Sequence, residues 1–213
     1  MTVAVAVMGL CIGAVLGVAL ACARVVGGPW LRRCSSAYTT VLRGVPDLLV
    51  IYLFYFGGSN ALAAIGKLVG YSEFIGMPTF ATGALALGMV SAAYQAEVYR
   101  GAYQAVPHGE MEAAHAVGMS PSQVFRSVIA PHVLKHALPG LGNVWQLVVK
   151  ESALISVIGL VELLRAAQLG AGSTRMPFVF YAAALLLYLL ITSVSGHFFA
   201  LAEAHTMRPY RRT

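Results

Sequence analysis

Residues 178–201 read FVFYAAALLLYLLITSVSGHFFAL, twenty-four positions without a lysine, arginine, aspartate or glutamate. A helix of about 20 apolar residues crosses the roughly 30 Å hydrocarbon core of a bilayer. The stretch therefore predicts a membrane-spanning helix rather than the core of a soluble domain. Working outward, four more runs of this kind lie at 3–23, 48–65, 77–95 and 139–160. The second is interrupted by Gly57-Gly58, so its outer end is expected to leave the helix. The first ends in Ala21-Cys22-Ala23, which resembles a signal-peptide cleavage site. No basic residue precedes it, however, and it exceeds the roughly 7–15 apolar residues of a signal core. It reads as a retained span.

The composition points the same way. Of 213 residues, 59% are hydrophobic and only 10% charged, with a mean hydropathy of +0.77. Soluble domains carry about 25% charge, so there are too few hydrophilic side chains here to wet a globule. An ordinary soluble enzyme is excluded, and so is a disordered chain, which needs low hydrophobicity. Nothing separates two cores: residues 1–213 form one all-α membrane domain of five helices. The net charge is +6, but the basic residues fall in short gaps between apolar runs rather than on one polar face, which argues against nucleic acid. Cys11, Cys22 and Cys34 have neither metal-ligand nor disulfide spacing and read as small apolar residues.

Loop charge sets the topology. With the N-terminus outside, the inner segments carry Arg24, Arg32, Arg33, Arg43, Arg100, Arg126, Lys135, Arg208, Arg211 and Arg212; the outer ones carry only Lys67, Arg165 and Arg175. Cytoplasmic loops are enriched in Lys and Arg. The N-terminus is therefore expected outside, the C-terminus inside, and the loop 96–138 in the cytoplasm.

That loop is more structured than a connector. Pro107 suits a first helical turn, Glu110 and Glu112 suit the positive end of a helix dipole, and Gly118 suits a left-handed cap. Ser120, Pro121 and Gln123 then read as a second start, with Ser120 the N-cap and Gln123 its reciprocal partner. Val124, Phe125, Val128 and Ile129 recur at helical spacing and give this second helix an apolar face. The loop predicts two short helices joined at Gly118-Met119-Ser120, a projecting knuckle. An amphipathic hairpin lying on lipid headgroups is the plainer alternative.

At these residues the chain resembles a known family. Glu112-Ala113-Ala114, then Gly118, then Val128-Ile129-Ala130-Pro131 is similar to the EAA loop of permease subunits in bacterial ABC importers. Val128 and Ala130 stand where isoleucine and leucine are usual. The resemblance implies that this loop, including Ser120, Pro121, Phe125 and Pro131, docks on a cytoplasmic ATPase dimer. Arg43-Gly44-Val45-Pro46-Asp47-Leu48, the run 93–101 and Lys150-Glu151-Ser152-Ala153-Leu154-Ile155-Ser156 resemble the polar amino-acid branch. Gly142-Asn143-Val144-Trp145-Gln146 favours the Q-type subunits of histidine/lysine/arginine/ornithine and opine permeases. Such a subunit implies a paralogous M-type permease partner (or a second copy), a periplasmic or lipid-anchored substrate-binding protein, and the bacterial inner membrane. Relatives carry more residues before the first span, which points to a misassigned start or a lost outer segment.

An ionisable side chain at mid-membrane costs about 2.5–3.5 kcal/mol on insertion scales and needs a reason. Asn143, Gln146 and Lys150 form one polar stripe at i, i+3 and i+7, with Glu151 on its flank beside Ser152. One reading makes the stripe line a translocation path, with Glu151 meeting a substrate cation and Lys150 a carboxylate. The other makes it a structural network between subunits. Asp47, after Pro46 at the inner mouth of the second span, fits a helix cap better than a ligand. Glu97 and Arg100 read as an i, i+3 ion pair, and Tyr94 and Tyr99 as interfacial aromatics.

Other motifs fail. Glu112-x-x-His115 lacks the second copy that a di-iron site needs, and His132-x-x-x-His136 lacks a third metal ligand. There is no phosphate-cradling Gly-x-x-x-x-Gly-Lys-Ser/Thr loop, since Gly66-Lys67 continues with Leu68. No catalytic set is present. The chain is expected to bind no cofactor, leaving ATP and Mg to the partner ATPase. A channel or secondary transporter using Lys150 and Glu151 as an ion relay is the rival, against which stand the odd number of spans and the lack of an internal repeat.

Overall fold

A computed structural model describes residues 1–61 and 78–207, which are helical apart from short connections. The helices are α1 Thr2–Val25, α2 Pro29–Gly44, α3 Asp47–Ala61, α4 Thr79–Gln104, α5 His108–Ala116, α6 Pro121–Ile158, α7 Leu163–Thr174 and α8 Pro177–Met207. The expected tail of the second span (62–65), Met77, the Gly66-Lys67-Leu68 run, Arg208, Arg211 and Arg212 lie outside the described residues.

Several expected boundaries move. Gly57-Gly58 does not end α3: a π turn over Leu53–Gly57 takes up the irregularity, and Gly58 keeps helical backbone at φ −62° and ψ −44°. Residues 96–104, expected in the loop, continue α4. The second knuckle helix and the fourth span are one 38-residue helix, α6, with Pro139 inside it rather than at its start. A π turn at Phe125–Ile129 precedes Pro131. Its wider turn relieves the clash between a proline ring and the carbonyl four residues back. Residues expected as plain connections hold two further helices, α2 and α7.

Among the described residues three helices, α1, α6 and α8, are long and apolar enough to cross a membrane alone. The pair α2 and α3, bent by 108°, makes a fourth if counted as one span. α4, expected as the third span, falls short of that apolarity, and its packing explains why. Half of its residues are buried, among them Gly83, Ala84, Gly88, Ser91, Ala92, Ala93, Gln95 and Ala96. Ringed by α1, α2, α3 and α6, it does not need a greasy surface. α8 is the opposite case, with only 6% of its apolar window buried and Leu185, Leu186, Leu189, Leu190 and Phe198 facing outward.

α1 and α4 run parallel in close register. A Cβ at Gly9 would lie 2.9 Å from Leu87 Cβ, one at Gly13 would lie 2.6 Å from Gln95 Nε2, and one at Gly17 would lie 2.9 Å from Gln95 Cβ. The glycine stripe lets two backbones approach, which is how membrane helices gain packing when lipid is as apolar as they are. Gln95, only 1% exposed, is fully satisfied there. Its Nε2 donates to the Leu10 carbonyl at 3.0 Å and to Ser91 Oγ at 2.8 Å, while Oε1 accepts from Tyr99 Oη at 2.9 Å. α6 runs antiparallel to α4, with Gly140 at Val98 and Ile155 at Gly83, and α8 returns along α6 with Phe199 at Gly142.

α6 tightens to a 3₁₀ segment over Ser152–Ile158 and ends on Gly159 at φ +94°. After this turn Glu162, 2% exposed, caps α7. Its carboxylate accepts from the N–H groups of Leu164 (2.9 Å) and Arg165 (2.7 Å) and from Tyr188 Oη (2.9 Å). Removing it leaves three partly buried donors unmatched, at up to about 1–3 kcal/mol for each such group. Glu162→Ala is therefore expected to lower the melting midpoint of the purified subunit, read by thermal-shift fluorimetry in detergent.

Candidate functional site

The knuckle forms for the reasons its sequence gives. α5 ends with Met119 N–H donating to Ala114 O at 3.1 Å and Gly118 N–H to His115 O at 3.0 Å. Gly118 holds φ +77°, the left-handed residue such a paired helix stop requires. Ser120 then caps α6: its Oγ accepts from Gln123 N–H at 3.4 Å, and its own N–H donates to Gln123 Oε1 at 2.8 Å. Pro121 is the first helical residue. Pro107 falls one place earlier than expected, at the N-cap of α5.

The expected apolar face divides. Val124 and Ala114, 3% and 6% exposed, turn into the hairpin and seal it. Glu112, Ala113, Gly118 and Pro121 are exposed at its surface, and Pro131 is half-buried. Val117 and Phe125, 77% and 57% exposed, leave an uncovered apolar tip. A bond that sequence spacing did not reveal ties α5 to α6: Glu110 Oε2 lies 2.7 Å from His132 Nε2. His115 Nδ1 is engaged 2.6 Å from its own helix at Met111 O. Among the described residues no group of three metal-ligating side chains comes together.

Higher on α6, the helix shows two faces. Val144, Trp145, Val148 and Val149 are buried in the bundle, whereas Asn143, Gln146 and Lys150 are exposed in a row. Glu151 is buried, and its Oε2 has no hydrogen-bond partner. Its carboxyl faces that of Asp47 across the base of α3. Asp47 sits in the first turn of α3 but makes no side-chain capping bond, so the expected cap is present in position only. Ser152 is fully buried, its hydroxyl donating to Val149 O at 2.7 Å. Lys150 and Glu151 point apart, as 100° per residue dictates.

The charged network near the end of α4 is larger than the expected Glu97–Arg100 pair. Arg100 Nε and Nη2 donate to Glu97 Oε2 at 3.0 and 2.9 Å, and Arg24 from α1 donates to Oε1 and to Ser36 Oγ (3.0 Å). Glu97 lies beyond the end of the expected span at residue 95. Partial burial pushes its carboxyl up, but hydrogen bonds from Arg100 and Arg24 outweigh that and hold it below the usual carboxylate range. Arg43 lies over the Tyr94 ring at 5.4 Å.

The chain is similar in sequence and fold to known proteins. The family described as "Binding-protein-dependent transport system inner membrane component" matches residues 13–203. The octopine transport system permease protein OccQ of Rhizobium meliloti is 58% identical over 212 residues, covering 100% of this chain and 90% of that protein. The histidine/lysine/arginine/ornithine permease protein HisQ of Escherichia coli is 40% identical over 76% of this chain and 70% of its own length. Among solved structures, an amino acid ABC transporter crystallised with histidines has a chain that is 32% identical with a TM-score of 0.81, covering 96% of this chain and 90% of its own. The chain belongs to the binding-protein-dependent inner-membrane components: it is a permease subunit of an ABC importer in the polar amino-acid family, and ATP is hydrolysed by another subunit.

Proposed function

We propose that the chain forms half of the translocation pathway of an ATP-driven importer for basic amino acids or opines. The observation that carries this is the uncovered stripe Asn143, Gln146 and Lys150 on a helix whose opposite face is buried. Within a membrane such a stripe needs water or protein opposite it. A second permease subunit, a related M-type paralogue rather than a second copy, supplies both. Asp47 and Glu151 hold two carboxyl groups side by side, which disfavours both being charged at once, and a substrate cation placed beside them lessens that penalty. Lys150 meets a substrate carboxylate, and Ser152 braces the backbone behind Glu151. The names of OccQ and HisQ, octopine in one and basic amino acids in the other, support that substrate class.

In this reading α1, α3, α4, α6 and α8 are the five spans of a single transmembrane domain, with the N-terminus outside and the C-terminus inside the cell. The gathering of Arg24, Arg32, Arg33 and Arg100 near the knuckle end supports that orientation. A cytoplasmic ABC ATPase dimer, which uses ATP and Mg, docks on Glu112, Ala113, Val117, Gly118 and Phe125. A periplasmic or lipid-anchored binding protein delivers substrate outside. ATP shifts the inward–outward equilibrium through contacts that differ between the two states.

Uptake of labelled octopine, arginine, histidine and glutamine, in cells lacking and then regaining the whole operon, tests the substrate class. Accumulation of glutamine alone would refute it. Glu151→Gln is expected to cut uptake of the cationic substrate by about tenfold or more, since hydrogen bonds to charged groups contribute about 1.5–3 kcal/mol. Membrane level and ATPase association should hold. Uptake at the wild-type rate would exclude Glu151 from the path.

A further inference from the structure

α2 packs against α1 and α4 and meets the next helix at a sharp bend. Ser35 Oγ donates to Leu20 O of α1 at 2.9 Å, Tyr38 Oη donates to Met89 O of α4 at 2.8 Å, and the next helix departs at 108°. If α3 crosses the bilayer, α2 runs nearly in its plane. Its sixteen residues present three faces. Ser35 and Thr39 are buried against α1 and α4. Trp30, Cys34, Ala37 and Val41, at i, i+4, i+7 and i+11, form an exposed apolar stripe. Arg32, Ser36, Thr40 and Arg43 follow one another round the third face, with Arg33 at its edge. An in-plane helix with an apolar stripe and an arginine-rich flank suits the boundary between acyl chains and headgroups.

The flank opens on a hollow of about 580 Å³ lined by Arg24, Arg32, Arg33, Ser36, Glu97 and Arg100. Four guanidinium groups meet one carboxylate there. Glu97 is consumed, with one oxygen taken by Arg24 and the other by Arg100. Arg32 donates only to the Val25 carbonyl, at 3.2 Å, and Arg33 makes no ion pair or hydrogen bond among the described residues. The hollow therefore keeps an excess of positive charge that no side chain of the described residues neutralises. Guanidinium groups bind phosphate through a planar fork of donors. We propose that this hollow binds the phosphate headgroup of an anionic phospholipid, whose acyl chains descend past the Trp30–Cys34–Ala37–Val41 stripe of the same helix. Headgroup and stripe together make the ligand a lipid: a soluble anion would use the arginines but have no need of the exposed apolar row.

Trp30, 80% exposed at the start of the stripe, reports on the site, while Trp145 is buried at 6%. The assembled transporter is reconstituted in phosphatidylcholine vesicles holding equal fractions of brominated phosphatidylglycerol or brominated phosphatidylcholine, and quenching of tryptophan fluorescence is titrated. The apparent association of the brominated anionic lipid is expected to exceed that of the zwitterionic one by about fivefold or more. Trp30→Phe should abolish most of the quenching. R32Q/R33Q should remove the preference, and R32K/R33K, which keeps the charge, should restore part of it. Both arginines are exposed, so folding is checked by unchanged membrane level. Equal quenching by the two lipids, or a preference that survives R32Q/R33Q, overturns the proposal. Loss of the preference on adding millimolar inorganic phosphate at constant ionic strength would assign the hollow to a soluble anion and overturn the lipid assignment too.

Discussion

Gly118→Val will abolish ATP-driven uptake while the chain still accumulates in the membrane at its usual level. Gly118 holds φ +77° with nothing within 4 Å of where a Cβ would stand, so the effect is conformational rather than steric crowding. A left-handed backbone costs an ordinary L-residue roughly 1–2 kcal/mol, and a β-branched residue is a true outlier there. α5 is a nine-residue helix whose main packing is on the first turns of α6. It has little packing with which to offset that strain, so the turn opens and the Val117–Phe125 tip is displaced. Uptake and co-purification of the ATPase should both fall at least about tenfold, the equivalent of 1.4 kcal/mol. Gly118→Asn should keep most of both, because asparagine tolerates the left-handed region. Val117→Asp tests the tip itself by placing a carboxylate in the proposed contact. Ala114→Asp is a different experiment, because Ala114 is sealed inside the hairpin and a charge there unmakes the knuckle. Wild-type uptake in Gly118→Val would remove the case for docking through this loop.

Gly13→Leu is expected to act at the level of folding instead. The new Cβ would stand 2.6 Å from Gln95 Nε2 and 2.7 Å from Ser91 Oγ, distances at which something must move. Moving Gln95 breaks its bonds to Leu10 O and Ser91 Oγ and the one it accepts from Tyr99. An unpaired amide in a dry helix contact costs about 1–3 kcal/mol for each group lost. Separating α1 from α4 to make room also forfeits the contacts of Gly9 and Gly17. The variant should be degraded after insertion, with its membrane level under about a tenth of wild type, since loss of several kcal/mol removes a large fraction of the margin of a typical protein, about 5–15 kcal/mol. Immunoblotting of membrane fractions measures this. Gly13→Ala, with less to accommodate, should be intermediate.

Local signals in the chain proved legible where the physics is local. The left-handed stop at Gly118, the reciprocal Ser120–Gln123 cap and the apolar stretches of α1 and α8 each depend on neighbours a few residues away. So does the Glu97–Arg100 pair. What escaped depends on distant partners. Arg24 meets Glu97 across 73 residues, Tyr188 meets Glu162 across 26, and Gln95 reaches Leu10 across 85. Glu162 drew no reading from the sequence, because the Tyr188 hydroxyl it holds is visible only in three dimensions. Span limits slipped for a related reason. Hydropathy marks where a helix is apolar, not where it ends, so α4 continued past Gln95 and α6 began at Pro121, well before Pro139. The stripe of Asn143, Gln146 and Lys150 was readable from its spacing. Its exposure, and the burial of Ser152 behind it, required knowing which face the bundle covers.

The unbroken run of α6 has a mechanical corollary. At about 1.5 Å per residue its 38 residues reach nearly 57 Å, so one connecting rod carries both the tip-bearing knuckle and Lys150. Between its ends the shaft has two points of give, the wrist that the π turn makes at Phe125–Ile129 and the interior Pro139. Under the docking and pathway proposed above, stiffness in the shaft sets how much of each nucleotide-driven stroke reaches the substrate.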